Sequence, residues 1–154
     1  MTLYDELKGL LASLRAHKIP YALCGGLALA VHGIPRSTID IDLLVEKKML
    51  EKVRNLAHRL GFTVDSGVMR MKKGAIQIHR LVKPDLRAHD VLILDLIPVT
   101  PRLREAWDAR ENRDSEFGPI SVVSKKGLIT LKAFRNNGRD REEIRALGGK
   151  HDES

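Results

Sequence analysis

The sequence predicts a mixed β-sheet with helices packed against it, in the α+β or α/β class. Two observations carry this. Helical and strand-like segments alternate along the chain, with a run of strands in the middle. No internal repeat or low-complexity segment interrupts that order.

The elements follow in turn. From about Leu3 to His17 the chain reads as an amphipathic helix. Leu3, Leu7, Leu10, Leu11 and Leu14 share one face, and Thr2 can cap the start. Pro20 punctuates. Tyr21 to Cys24 is a short strand, and Gly25-Gly26 opens a helix running to His32. Gly33, Pro35 and Ser37 mark a loop before a strand from Thr38 to Val45. Glu46 to Leu60 is a helix with Met49, Leu50, Val53, Leu56, Ala57 and Leu60 as its apolar stripe, ended by Gly61. Strands are expected near Phe62 to Val64, Val68 to Met71, Ile76 to Val82 and Val91 to Val99. Pro101 to about Ala109 reads as a short helix and Ile120 to Val123 as a strand. Ser124 caps a helix to Arg135, Asn136-Asn137-Gly138 turns, and a last helix runs from Asp140 to Leu147. Residues 1–149 are expected to form a single domain, with 150–154 a disordered tail.

Composition narrows the function. Lys plus Arg exceeds Asp plus Glu by 27 to 20, a formal charge of +7. That excess suits a polyanionic partner such as a nucleoside triphosphate or an RNA, and it also suits plain solubility. Aromatics make up 4% of the chain, too few for base stacking on aromatic platforms to dominate. The single Cys24 leaves no internal disulfide, in keeping with a reducing cytoplasm, and it reads as a small core residue. The first residues carry early acids rather than the basic-then-apolar order of a signal peptide. No apolar run reaches membrane-spanning length, so a cytoplasmic protein with no membrane partner is expected.

The most informative residues are Asp40 and Asp42, in the run Ile39-Asp40-Ile41-Asp42-Leu43-Leu44-Val45. Alternation on a strand points both carboxylates one way, and Ile39, Ile41 and Leu43 the other. Two like charges on one half-buried face are costly without a cation between them. Carboxylate oxygens suit a hard cation such as magnesium. Upstream, Gly25-Gly26 ends a strand and starts a helix, a place where a phosphate can approach the backbone, or simply a tight turn. Downstream, Asp95 interrupts the run Val91-Leu92-Ile93-Leu94-Asp95-Leu96-Ile97. It is either an acid paired with a nearby Arg or Lys, or a third metal ligand. The pair upstream favours the metal role. Three carboxylates on neighbouring strands suit a two-metal centre.

Gly25-Gly26, thirteen intervening residues (27–39), Asp40-Ile41-Asp42 and the later Asp95 resemble the nucleotidyltransferase superfamily that includes DNA polymerase beta. The segment Gly33-Ile34-Pro35-Arg36-Ser37-Thr38-Ile39-Asp40-Ile41-Asp42-Leu43 is most similar to the minimal and AbiEii-type enzymes linked to toxin–antitoxin systems. Leu131-Lys132 and Arg139-Asp140-Arg141-Glu142-Glu143-Ile144 are similar to that branch's helical lysine and its basic-Asp-x-x-acidic-Ile segment. The resemblance implies a nucleotidyltransferase-like mixed sheet flanked by helices. It implies Asp40 and Asp42 as magnesium ligands, two ions being expected, and Asp95 as the third acid. It places Gly25 and Gly26 beside an NTP, Lys132 on phosphate, and Asp140 where it orients Lys132 or substrate.

The implied reaction moves a nucleoside monophosphate from an NTP to a hydroxyl of a protein or an RNA, releasing pyrophosphate. AbiEii-type enzymes commonly carry a further helical domain around the acceptor, for which this chain has no room. The acceptor surface is therefore expected from a partner protein, a second copy, or the strand region Val68 to His89. The main alternative is a non-catalytic member that binds nucleotide or a partner in a toxin–antitoxin-like pair. A weaker one is a phosphate-binding regulator whose acids pair with arginines.

Other residues are weighed more plainly. Arg36 can reach a triphosphate or lie in a surface loop. Thr38 can bond near the metals or simply suit a strand. His32, His79 and His89 lack metal-ligand spacing and read as structural or surface residues. Lys72-Lys73, Arg80, Lys83 and Arg87 can guide RNA or an acidic partner, and by default read as charged, solvated strand edges. Trp107 reads as core.

Overall fold

The computed structural model describes residues 2–34, 40–85, 90–116, 118–135 and 144–148. The expectations for Pro35 to Ile39, Arg87, His89, the 136–138 turn, Asp140 and the tail lie outside the described residues. Helix α1 spans Leu3–Ala16, β1 Ala22–Cys24, α2 Gly25–Val31, β2 Asp40–Val45 and α3 Leu50–Arg59. Then come β3 Val64–Met71, β4 Ile76–Asp85, β5 Asp90–Pro98 and α4 Arg104–Asp108. Strands β6 Glu111–Ser115 and β7 Gly118–Val122 precede α5 Lys125–Arg135. Residues 144–146 are helical.

The strands form one seven-stranded mixed sheet in the order β3-β4-β5-β2-β1-β7-β6. The β2·β5 and β1·β7 pairs are parallel and the rest antiparallel. This is the mixed sheet with flanking helices that the alternation of elements predicts. Its centre is dry: Ile41 and Leu43 of β2 and Leu94 and Leu96 of β5 are fully buried. The helices cover it with the stripes read from the sequence. Leu7, Leu10, Leu11 and Leu14 of α1, and Val53, Leu56 and Ala57 of α3, are all buried. Thr2 caps α1 as expected, its hydroxyl accepting from the Asp5 N–H at 3.1 Å. Asp5 and Glu6 in the first turn complement the helix dipole. Ser124 does the same for α5, accepting from the Gly127 N–H at 3.1 Å.

Several boundaries differ from the sequence expectation. The helix expected from Glu46 starts as a tight 3-10 turn over Lys47–Met49 and becomes α-helical at Leu50. The pieces expected at 62–64 and 68–71 are one strand, β3, whose register shifts between Asp65 and Val68. Phe62 is not in a strand. It is fully buried, and its N–H closes α3 on the Ala57 carbonyl, after Gly61 turns the chain at φ +103°. Strand β6 has no counterpart among the elements that the sequence predicts. Glu111-Asn112-Arg113-Asp114-Ser115 has no apolar alternation, because it is an edge strand with both faces near water. Its hairpin with β7 makes it a strand.

The basic residues of the middle strands are not all solvated edges. Lys83 is half-buried, donating to Glu6 Oε2 at 2.8 Å and to the Leu60 carbonyl at 2.9 Å. Arg80 lies on β4, inside the sheet. Trp107 is buried as expected, with the Arg110 guanidinium stacked 4.0 Å from its ring centre. Glu46 and Arg104 form a two-pronged ion pair at 2.9 and 3.2 Å.

Truncating the central Leu96 to Ala should cost about 2–5 kcal/mol of stability by urea unfolding. A second expectation concerns His79. Burial first, then the Arg54 and Arg70 charges, hold its imidazole below its ordinary pKa, so the fold carries it neutral. Its stabilising contribution is present above the unfolded value near 6.5 and is lost as pH falls through the folded value. The urea midpoint should therefore drop between pH 7 and 5, less steeply in His79→Leu; equal slopes would refute this.

Candidate active site

The register of the sheet builds the site. Cys24 of β1 is level with Asp42 of β2, Asp42 with Asp95 of β5, and Asp95 with Arg80 of β4. These four residues make one lateral row across four adjacent strands, and side chains in such a row share a face. Asp40 sits two residues before Asp42 on that same face. The opposite side of β2 is the buried one, with Ile41 and Leu43, as the alternation predicts. The row continues to the edge. Asp65 is level with Leu81 and Val68 with His79, so Ser66 and Gly67 together face the single position Arg80. That is a β-bulge, a device common beside functional sites.

A cavity of about 240 Å³ lies over the row. Asp40, Asp42 and Asp95 line it together with Gly25, Gly26, Arg80 and Lys132. Its remaining wall is apolar: Met69 and Met71 of β3, Ile76 and Ile78 of β4, and Leu128 and Leu131 of α5. The expected acids, glycines and helical lysine therefore meet at one place. Arg36, Thr38 and Asp140 lie outside the described residues.

Each polar side chain has a physical reason to be where it is. Asp95 is only 4% exposed. Both its oxygens are bonded: Oδ1 accepts from Arg80 Nε at 2.9 Å and Oδ2 from Arg80 Nη2 at 3.0 Å. The pairing with an arginine, left open beside the metal role, is thus present, and Asp95 still lines the shared cavity. In turn, the hydrogen bonds to Asp95 push the Arg80 guanidinium above its ordinary pKa, with Asp40 and Asp42 adding their charge. Lys132 is equally buried at 4%, on the α5 face that carries Leu128. A buried ammonium is expensive without counter-charge, and three carboxylates share its cavity. Cys24 is the core residue the sequence suggests. Burial first, then Asp42, pushes its thiol well above its ordinary range, which disfavours the thiolate that a nucleophile needs.

Gly25 is required twice over. Its φ is +67°, and a Cβ on it would lie 2.7 Å from Asp42 Cγ. The glycine pair lets the first turn of α2 close down on the aspartate strand. The same carboxylate set suits a hard cation by its chemistry. Among the described residues, though, no group of three or more His, Cys, Asp or Glu side chains stands as a metal cluster.

Arg80 is the site residue that sequence reasoning missed, being read there as an edge charge. A signal existed: Ile76, Ile78 and Arg80 alternate onto one face of β4. What the sequence lacked was the register that sets Arg80 opposite Asp95. Gly25→Ala should lose about 1–3 kcal/mol from backbone strain and the clash with Asp42. Thermal unfolding beside Gly33→Ala, where a Cβ would meet open space, separates the clash from the φ effect.

Similarity to known proteins agrees with this geometry. No curated protein matches the sequence. The fold resembles ANT(2″)-Ia in complex with adenylyl-2″-tobramycin at a TM-score of 0.69 and 15% identity, covering 96% of this chain and 88% of that one. It also resembles an antigenic nucleotidyltransferase-like protein from Paracoccidioides brasiliensis, at a TM-score of 0.56 and 19% identity, covering 94% and 74%. The family model for the nucleotidyl transferase AbiEii toxin of type IV toxin–antitoxin systems matches residues 8–145. With that span matched and the acids, glycines and lysine lining one cavity, the chain belongs to the AbiEii nucleotidyltransferase family.

Proposed function

We propose that this nucleotidyltransferase depends on magnesium and moves a nucleoside monophosphate from an NTP to a hydroxyl of a protein or RNA acceptor, releasing pyrophosphate. The observation that carries the reading is the convergence of Asp40, Asp42 and Asp95 on the cavity that Gly25, Gly26 and Lys132 also line. The carboxylates fit a hard divalent cation, and Asp40 and Asp42 would hold it. When bound, magnesium lowers the pKa of the attacking hydroxyl and neutralises charge on the phosphates.

The chain's own residues do the positioning. Lys132 binds phosphate oxygens from across the cavity, where its low exposure strengthens the attraction. Gly25 and Gly26 leave the backbone open to the phosphate chain. Asp95 completes the acidic floor. The family resemblance would add Arg36 and Thr38 to nucleotide binding, and Asp140 to orienting Lys132 or the substrate. Attacking and leaving oxygens in phosphoryl chemistry lie roughly in line. With pyrophosphate at the glycine end of the row, the acceptor hydroxyl enters from the β3–β4 end.

The type IV family supports a toxin role with an antitoxin partner. Among the described residues no helix is long and apolar enough to cross a membrane. We place the activity in the cytoplasm, where NTPs are held.

Labelled NTP, magnesium and candidate protein and RNA acceptors test the reaction. Wild type should label an acceptor, while Asp42→Ala should lose at least about a hundredfold, as losses of charge-stabilising groups commonly do. Equal labelling by both would remove the enzymatic reading. Magnesium with NTP should also raise the melting temperature of wild type and not of Asp42→Ala.

A further inference from the structure

Asp95 sits between Asp42 on one side and Arg80 on the other. Two carboxylates directly opposite each other repel, and here the repulsion falls on a nearly dry acid. The neutralising charge is already part of the chain. Arg80 grips both Asp95 oxygens with two nitrogens of its planar fork, at 2.9 and 3.0 Å, the bidentate geometry that arginine forms best.

We propose that the Arg80 guanidinium takes the place of a second metal ion in this site, so that Asp40 and Asp42 hold a single divalent cation beside the nucleotide. The inference rests on the nucleotidyl-transfer reading above. A second cation on Asp95 would have to share a nearly dry carboxylate with a guanidinium that already bonds both its oxygens, setting two positive charges side by side where little water screens them. Arginine stays charged under all working conditions, so it never vacates the position by losing its proton. The neighbouring groups agree. Asp40 and Asp42 line the same cavity as the guanidinium and add their charge to that of Asp95. Its place on an internal strand, beyond Ile76 and Ile78 of the cavity wall, holds the head group in the row. Arg80 is thus a positioning residue, acting through Asp95.

Counting ions tests this without relying on turnover. Manganese is titrated into the full chain at saturating non-hydrolysable NTP analogue, and electron paramagnetic resonance reads the bound ions. Wild type and Arg80→Lys should bind one per chain, and Arg80→Gln, with Asp95 uncovered, should bind two with mutual spin coupling. Two ions in wild type would overturn the proposal, a result that needs no variant to fold. One ion in a folded Arg80→Gln would overturn it too. As a second readout, transfer by Arg80→Gln should fall at low magnesium and recover as magnesium rises, and a deficit insensitive to magnesium would contradict the assignment. A wild type that binds one ion but labels no acceptor would sink the transfer reading while leaving the ion count intact.

Discussion

Asp42 and Asp95 face each other on neighbouring parallel strands at the centre of the sheet, and the fold must carry that repulsion. It does so with Arg80, locked onto Asp95 from the next strand, and with Lys132, reaching the same cavity from a helix. Acids in the middle of a sheet are poor strand formers and expensive to bury. Their presence is tolerable because the neighbouring elements bring cations to them. Among the described residues, three carboxylates and two cations line a small cavity.

The rest of the architecture serves that row. Ile41 and Leu43 on the back of β2, with Leu94 and Leu96 of β5, anchor the acid-bearing strands in a dry core. The acids therefore stand on rigid backbone rather than on a loop. Gly25 brings the start of α2 against Asp42 at a distance no side chain would permit. On the far side, the β3–β4 hairpin raises an apolar wall of methionine and isoleucine, and a bulge in β3 falls opposite Arg80.

Much of this was legible in the sequence because it depends on local pattern. The period-two alternation around Asp40 and Asp42 gives their shared face. The leucine spacing of α1 and the stripe of α3 give the buried surfaces, and Thr2 and Ser124 announce two helix starts. Asp95 stands out because an acid inside an apolar strand demands a partner. What was not legible depends on register and edges. Arg80 and Asp95 are fifteen positions apart, and only the pairing of β4 with β5 sets them opposite each other. The bulge at Ser66 and Gly67 split one strand into two in the sequence reading. Strand β6 carries no apolar signal, since its partner β7 rather than its composition makes it a strand.

The most direct test of the central claim is a crystal structure of the chain with magnesium and a non-hydrolysable NTP. The account predicts one divalent ion between Asp40 and Asp42, the triphosphate running past Gly25 and Gly26 toward Lys132, and Asp95 still held by Arg80. A nucleotide bound away from the acidic row, with no ion on Asp40 or Asp42, would contradict it.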